Sequence, residues 1–535
     1  MQMTRFFLLF LIIQFVHFLA TFKLYVKAGR KSWEALIPIY NAIILMQIIN
    51  RPKWWVFLFF IPIINLIMFP VVWVETIRSF GKNSTKDTLL AVLSLGFYVA
   101  YINYNSDKLE YVKGRNLSPK AGLGETVSSI LFAVIVATIV HTYVIQPFTI
   151  PSSSMEKSLL VGDFLFVSKL HYGARVPITT VALPMVHDTI PFVKKKSYMF
   201  NDDISKKETS ILNIFQLPYL RLPSFQKIER NDIVVFNQPA DTLLDMDNFS
   251  PDRNYYKPID KKTNLVKRCV GVPGDTLEVR NGCVFIDGKQ TKLPARTKLQ
   301  FSYTIKFRTQ FSSYEEVSNI LKLYDITDGI AYDAKSGEYF VQATEEAVIS
   351  ARNNPYIESL ELRKNNKEYR DSKIFPHDVN YNWNVDFFGP IYIPEKGKTI
   401  AINVDVLPLY KRLIVEYEGH KLLVKGNQIF IDGNLTTTYT FKQDYYWMMG
   451  DNRDNSIDAR FWGFVPFDHV VGKPIFIWLS WNTDGKGINK IRWNRMFTTV
   501  GGIGEPRSYL VYFVIVLIIC SAYNRYRKIR DVKKE

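Results

Sequence analysis

Ser152, Ser153 and Ser154 follow Pro151 in the stretch Ile150-Pro151-Ser152-Ser153-Ser154-Met155, which begins just beyond an apolar run, 127–146, long enough to cross a bilayer. Three hydroxyls after a proline form a polar collar by ordinary turn chemistry. They also offer a nucleophile, provided that a base takes the proton. Histidine is the usual base, yet His17 and His141 fall in apolar runs and the other five histidines sit in no triad motif. There is no Gly-x-Ser-x-Gly elbow and no His-Glu-x-x-His zinc motif. A lysine can replace histidine if it is unprotonated. With a pKa of roughly 10.4, a free lysine at pH 7 is neutral about once in a few thousand molecules. Burial lowers that pKa by penalising the charge. Lys267 suits the task, because Asn264-Leu265-Val266-Lys267-Arg268-Cys269-Val270-Gly271-Val272 reads as a strand that sets it among apolar neighbours. The plain alternative is a solvated lysine on an edge strand.

A third polar cluster is Gly450-Asp451-Asn452-Arg453-Asp454-Asn455-Ser456-Ile457-Asp458-Ala459-Arg460. Read alone it suggests a loop or a calcium site, but a calcium loop needs acidic residues at other spacings and a terminal Glu. No metal and no organic cofactor is implied, since a serine and a lysine supply both nucleophile and base.

Together the three stretches resemble the motif boxes of the type I (leader) signal peptidases, Ser-Lys dyad serine proteases. The family's Pro-Ser-x-Ser-Met falls on 151–155, its Lys-Arg-x-x-Gly-x-Pro-Gly-Asp on 267–275, and its Gly-Asp-Asn-x-x-Asn-Ser-x-Asp-x-Arg on 450–460. The resemblance implies Ser154 as nucleophile and Lys267 as general base, with Ser152 and the backbone amide of Ser154 forming the oxyanion hole. It also implies that Ser456 hydrogen-bonds the lysine amine while Asp451, Asp458 and Arg460 fix the surrounding frame. Phe148, Ile150, Met155, Leu159 and Val266 match positions that line two shallow apolar pockets, which implies cleavage after small residues in the pattern Ala-x-Ala; ordinary core is the alternative for each. The implied fold is a β-rich catalytic domain of twisted antiparallel sheets, shared with the self-cleaving SOS repressors, on a multi-pass α-helical anchor. The close resemblance covers about 144–175, 226–290 and 441–480. There are departures: Glu156-Lys157-Ser158 stands where the family often has x-Pro-Thr, Leu265 where an aromatic is frequent, and Ala459 where a serine is common.

The 535 residues exceed what one core requires. A formal charge of +17 would suit a nucleic-acid partner, but Lys and Arg cluster beside apolar runs and no nucleic-acid signature appears. Three cysteines, Cys269, Cys283 and Cys520, are too few for a disulfide framework. Five apolar runs are expected to span, 6–24, 54–73, 88–104, 127–146 and 508–523, with 34–49 interfacial or re-entrant. The organisation expected is a multi-span module at 1–123, a helix at 124–147 leading into an external catalytic domain at 148–507, a last span at 508–523 and a basic cytoplasmic tail at 524–535. Lys108, Lys113, Arg115 and Lys120 before the fourth span, and Arg525, Arg527, Lys528 and Arg530 after the fifth, set this orientation by the positive-inside rule. Arg78, Lys82 and Lys86 then fall on the wrong side. The resemblance places such a protein in the bacterial inner membrane with its catalytic domain facing the periplasm.

Outside the motifs, Asn281-Gly282, Asp287-Gly288 and Asp432-Gly433 between short alternating runs predict hairpins. The 289–423 region reads as an insertion with a helix near 313–324, and the apolar run 211–220 as a lipid-contacting edge of the catalytic domain or a buried strand. The expected partners are preproteins bearing signal peptides and the lipid bilayer, and no motif speaks to oligomeric state. The reading from another class is a catalytically idle β-domain on a membrane anchor, serving binding or assembly.

Overall fold

A computed structural model describes residues 2–105, 109–118, 122–239, 256–311, 313–483, 485–502 and 504–532. Lys108 and Lys120 lie outside the described residues. The chain divides into two compact units, one made of 1–144, 175–222 and 241–262, the other of 145–174, 223–240 and 263–535.

The first unit is helical. Gln2–Lys27, Tyr40–Ile48, Ile64–Ser79, Thr85–Leu93, Phe97–Tyr104 and Leu123–Tyr143 are its α-helices. Leu24, Tyr25, Ile44, Met46, Val72, Phe80, Val99 and Ile102 share one core. Asn103 Oδ1 accepts from the backbone amides of Lys23 and Leu24 at 2.9 and 3.1 Å, which fastens Phe97–Tyr104 to the first helix.

Two of the expected spans are broken. Residues 54–73 divide into a 3-10 helix, Lys53–Phe60, and the helix Ile64–Ser79, separated at Ile63 with φ 71°. A β-branched residue rarely adopts that left-handed backbone, so the apolar run cannot continue as one rod. Residues 88–104 divide at 94–96 with a bend of 117° between Thr85–Leu93 and Phe97–Tyr104. The hinge is Gly96, at φ 89°, where a Cβ would come within 2.6 Å of the Trp73 ring. Among the described residues three helices remain long and apolar enough to cross a membrane, 7–27, 124–143 and 510–527, or four if the bent pair counts as one.

Residues 175–222, expected within the catalytic domain, belong to this first unit. They run out and back through bridges Arg175–Arg221 and Thr179–Gln216, and Ile63 packs with Ala182, Tyr198 and Phe200. The 211–220 run begins as a 3-10 helix, Ile211–Phe215, that packs against the first helix and leaves Ile211 and Leu220 exposed; it is not a buried strand.

The second unit is mainly β. Its largest sheet orders the strands Ile145–Thr149, Asp163–Ser168, Val470–Ser480, Ile233–Asn237, Asn264–Gly271, Tyr445–Met449 and Val465–Pro466, with Thr498–Thr499 beside Val470–Ser480. The strand Thr276–Arg280 turns through Asn281 (φ 51°) and Gly282 (φ 76°) into Cys283–Ile286, as the Asn-Gly signal predicts. Leu422–Lys425 and Gln428–Ile431 form the second expected hairpin, and Asp432-Gly433 turns into Asn434–Thr436. The cysteines are free thiols.

The expected insertion is only partly a separate body. Strands Phe301–Phe307, Asp328–Asp333, Glu338–Ala343 and Ile357–Leu362 form one sheet with helices Tyr314–Lys322 and Glu345–Ala351, closed over their own core of Ile305, Val317, Leu321, Val341 and Val348. Ser313 caps the first of these helices by accepting from the Glu316 amide. The later part, by contrast, sends Phe375, Phe388, Ile391, Ile402, Leu409, Tyr410 and Ile414 into the main core beside Trp447, Trp462 and Phe464.

Candidate active site

The strand Ile145–Thr149 delivers the chain to Pro151, and residues Ser153–Met155 wind into a single 3-10 turn. Ser152, extended at φ -129° and ψ 156°, precedes that turn; its exposed side chain makes no capping bond to it. Met155 turns inward and is 1% exposed, so its burial anchors the turn and Ser154 faces the neighbouring strand.

That strand is Asn264–Gly271, flanked by Ile233–Asn237 and Tyr445–Met449. Lys267 lies opposite Val234 and is 3% exposed. Its Nζ donates to Ser154 Oγ at 2.5 Å. Among the described residues this is the hydrogen bond that the Ser154 side chain makes, and no histidine joins it. Burial pulls the Lys267 ammonium down to a pKa of about 8, against the opposing pull of Asp458 and with help from Arg460. A buried, part-neutral amine at hydrogen-bond distance from a hydroxyl can take the hydroxyl's proton.

The third stretch builds the frame around this pair. Arg268 holds Asp451 with both arms, Nε to Oδ1 at 2.7 Å and Nη2 to Oδ2 at 2.5 Å, and Ser158 Oγ donates to the same carboxylate at 2.5 Å. Asp458 caps the short helix Ala459–Trp462, takes Nε and Nη2 of Arg460 at 2.9 Å each, and accepts from the Gly450 amide at 3.0 Å. Burial opposes ionisation of Asp458, but the adjacent Arg460 guanidinium prevails and holds its pKa below the usual carboxylate range. Arg460 also donates to the Arg453 carbonyl. Asn452 closes the loop onto Ser154, its amide donating to Ser154 O at 3.1 Å and its Nδ2 to Ser153 O at 3.0 Å.

Ser456 is 6% exposed and lies near the dyad, since a Cβ on Gly450 would come within 2.2 Å of Ser456 Oγ and 2.5 Å of Ser154 O. Its hydroxyl makes no hydrogen bond among the described residues, so the expected bond to the lysine amine is not formed. Lys267 Nζ is instead engaged by Ser154.

The five pocket candidates meet in one apolar cluster with Leu165, Val167, Val235, Val471 and Ile477. Ile150, Met155 and Leu159 are buried in it as core, whereas Phe148 and Val266 remain partly exposed at its margin. Lys157 adopts φ 68° where the resembled family often has proline, whose ring fixes φ near -65°, so proline could not take this backbone. Sequence reasoning assigned no role to Arg268, Ser158, Gly450, Asn452 or Asn455. Their signal was position: all five lie inside or next to the three stretches.

The family model for signal peptidase, peptidase S26, matches residues 123–347 and 393–481, more than half of the chain. The chain belongs to the S26 signal peptidase family. Among its curated relatives are proteins named signal peptidase I from Buchnera aphidicola subsp. Schizaphis graminum, 25% identical over 66% of this chain and 74% of the relative, and from Buchnera aphidicola subsp. Acyrthosiphon pisum, 24% identical over 74% and 86%. One from Haemophilus influenzae is 24% identical over 72% and 78%. Residues 33–113, ahead of the S26 match, fit a family of unknown function (DUF5684). The several apolar helices and the mainly-β domain are those of an S26 signal peptidase.

Proposed function

We propose that this protein is a membrane-bound serine endopeptidase that removes N-terminal signal peptides from exported preproteins, cutting after small residues. The observation that carries the reading is the 2.5 Å contact between Ser154 Oγ and the buried Lys267 amine, with no other base hydrogen-bonded to the serine among the described residues. Neutral Lys267 takes the proton as Ser154 Oγ attacks the scissile carbonyl carbon, and the oxyanion that forms is received by the Ser152 hydroxyl and the Ser154 amide. Lys267 then returns the proton to the departing amine, leaving an acyl-enzyme. Water, deprotonated by the same lysine, hydrolyses that ester and frees Ser154. Asp451, Asp458 and Arg460 hold the frame around the lysine and the Ser154 loop in place. Phe148 and Val266 meet the substrate side chains at the margin of the apolar cluster.

The three spans support an outward-facing catalytic domain. They put the N-terminus outside, the chain on the cytoplasmic side at about 28 and again at about 123, the β domain outside and the basic tail inside, in a bacterial inner membrane; between 53 and 79 the chain dips back, which lets Ile63 meet Ala182, Tyr198 and Phe200 of the outer segment. Arg78, Lys82 and Lys86 then fall on the cytoplasmic side, which removes the exception that five spans created. Counting the bent pair as a fourth span would put Lys27, Arg30 and Lys31 outside, so the pair is assigned as re-entrant.

The test is to incubate detergent-solubilised full-length protein with a preprotein, wild type beside Ser154→Ala. Cleavage after an Ala-x-Ala sequence by the wild type alone is expected. No cleavage by either would favour the idle-domain reading, and cleavage by both would remove Ser154 as nucleophile.

A further inference from the structure

The 301–362 lobe reaches the chain on both sides of Ser154, directly at Lys157 and through Asn452 and Asn455 at Ser153. Lys157, three residues after it, sends a side chain that is only 7% exposed to the lobe, where Nζ donates to Asp325 Oδ1 at 2.7 Å and Thr327 Oγ1 at 3.1 Å. Its backbone is left-handed, a conformation that disfavours any residue bearing a Cβ and persists where surroundings over-determine it. On the other side, Asp328 Oδ2 accepts from Asn452 Nδ2 at 2.6 Å and Asn455 Nδ2 at 3.2 Å. Those two amide groups also donate to Ser153, to its carbonyl and its hydroxyl, each at 3.0 Å. The lobe's entry strand is tied to the same loop, with Gln300 N donating to Asp451 O and Arg453 N to Gln300 O at 3.0 and 2.9 Å, and Ser302 N to Asp454 Oδ2 at 2.7 Å.

We propose that the 301–362 lobe is a clamp that sets the position of the nucleophile, with Lys157 and Asp328 as positioning residues that never touch the reacting atoms. The inference rests on Ser154 being the nucleophile. Nothing else need hold Lys157 in its left-handed geometry: the lobe supplies an anion and a hydroxyl at the point where its ammonium ends. Asp328 acts one step further out, fixing two asparagine side chains whose free N–H groups fix Ser153. A loop pinned at both ends presents Ser154 Oγ to Lys267 at one distance; released at either end, it samples others. Displacement of a reacting group by about 1 Å costs on the order of a hundredfold in rate without weakening substrate binding.

The experiment measures kcat and KM of the full-length protein on a short soluble peptide carrying an Ala-x-Ala site, for wild type, Lys157→Met, Lys157→Arg, Asp328→Ala and Ser154→Ala. Lys157→Met and Asp328→Ala are each expected to lower kcat about ten- to hundredfold with KM nearly unchanged, and Lys157→Arg, which can still reach Asp325, to recover most of the loss. If Lys157→Met fails to fold, Lys157→Gly, which suits the left-handed backbone, replaces it with the same expected fall. Unchanged kcat in the folded variants, or a rise in KM alone, would overturn the clamp while Ser154→Ala remained inactive. Cleavage by Ser154→Ala would instead overturn the nucleophile assignment on which the clamp depends.

Discussion

Arg268 and Asp451 form a two-armed ion pair, at 2.7 and 2.5 Å, with side chains 5% and 0% exposed. Breaking such a pair by removing one member strands the other charge out of water and costs about 3–5 kcal/mol. Asp451→Ala should therefore lower the unfolding midpoint of the detergent-solubilised protein sharply, and Arg268→Met with Asp451→Leu should recover part of the loss. A midpoint for Asp451→Ala equal to wild type would contradict the pairing.

The dyad predicts a pH profile. Lys267 must be neutral to work, and its pKa is about 8, so kcat/KM should rise with pH through about 8 and change little under histidine-modifying reagents. Lys267→Ala and Ser154→Ala should each be nearly as damaging as the double variant, because groups acting as a unit are non-additive. Loss of activity on modification of His171 or His469 would point to a different base.

The same burial that prepares Lys267 also destabilises the protein. Unfolding returns the amine to a pKa of about 10.4, so the unfolded chain binds the extra proton between about pH 8 and pH 10.4. The penalty is fully present below pH 8, on the order of 3 kcal/mol by the proton linkage, and disappears as pH rises towards 10.4. Lys267→Met should abolish cleavage yet unfold at a higher temperature than wild type at pH 7, with the gain shrinking at pH 10. A destabilised Lys267→Met at pH 7 would show that the amine is not carrying that cost.

Gly450 admits no side chain. The 2.2 and 2.5 Å distances from a Cβ there to Ser456 Oγ and Ser154 O fall below any real contact, and one of those atoms belongs to the nucleophile's backbone. Gly450→Ala should therefore cut kcat at least tenfold, measured on the soluble peptide, while the protein still inserts in the membrane. Wild-type kcat in this variant would mean that the loop has room that the structure does not show.

The three-span topology makes a labelling prediction. A single cysteine at Lys82, in a variant lacking the native three, should react with a membrane-impermeant maleimide only after inner-membrane vesicles are inverted or opened. Reaction from the periplasmic side of intact spheroplasts would restore the five-span arrangement.

Much of the site was legible because its signals are local. Asn281-Gly282 encodes a tight turn in two residues, and Lys267 in an apolar strand announces a burial whose consequence for its charge is elementary. The frame was legible only in outline: nothing in Asp451 or Arg268 alone says that the two meet across 183 positions. The second span was misread because hydropathy records that 54–73 is apolar but not that Ile63 turns the chain left-handed. That residues 175–222 join the helical unit was hidden for a related reason. Their membership is decided by Ile63 meeting Tyr198 and Phe200, a contact with no trace in either stretch alone. The split within 289–423 has the same origin, since Phe375 and Tyr410 announce themselves as apolar without naming the core that they enter.

The order of strands in the main sheet has a consequence for biogenesis. Asp163–Ser168, which carries the chain away from the nucleophile loop, takes Val470–Ser480 as its inner neighbour, and Lys267 lies on a strand whose outer partner is Tyr445–Met449. A ribosome that has just made Ser154 and Lys267 has made neither of those neighbours. At roughly 5–20 residues per second the wait is on the order of tens of seconds, during which the emerging chain holds its serine without the sheet that aims a lysine at it. The pair of Ser154 and Lys267 is thus assembled only when nearly the whole chain has emerged, so the activity proposed for it would stay silent through the protein's own synthesis.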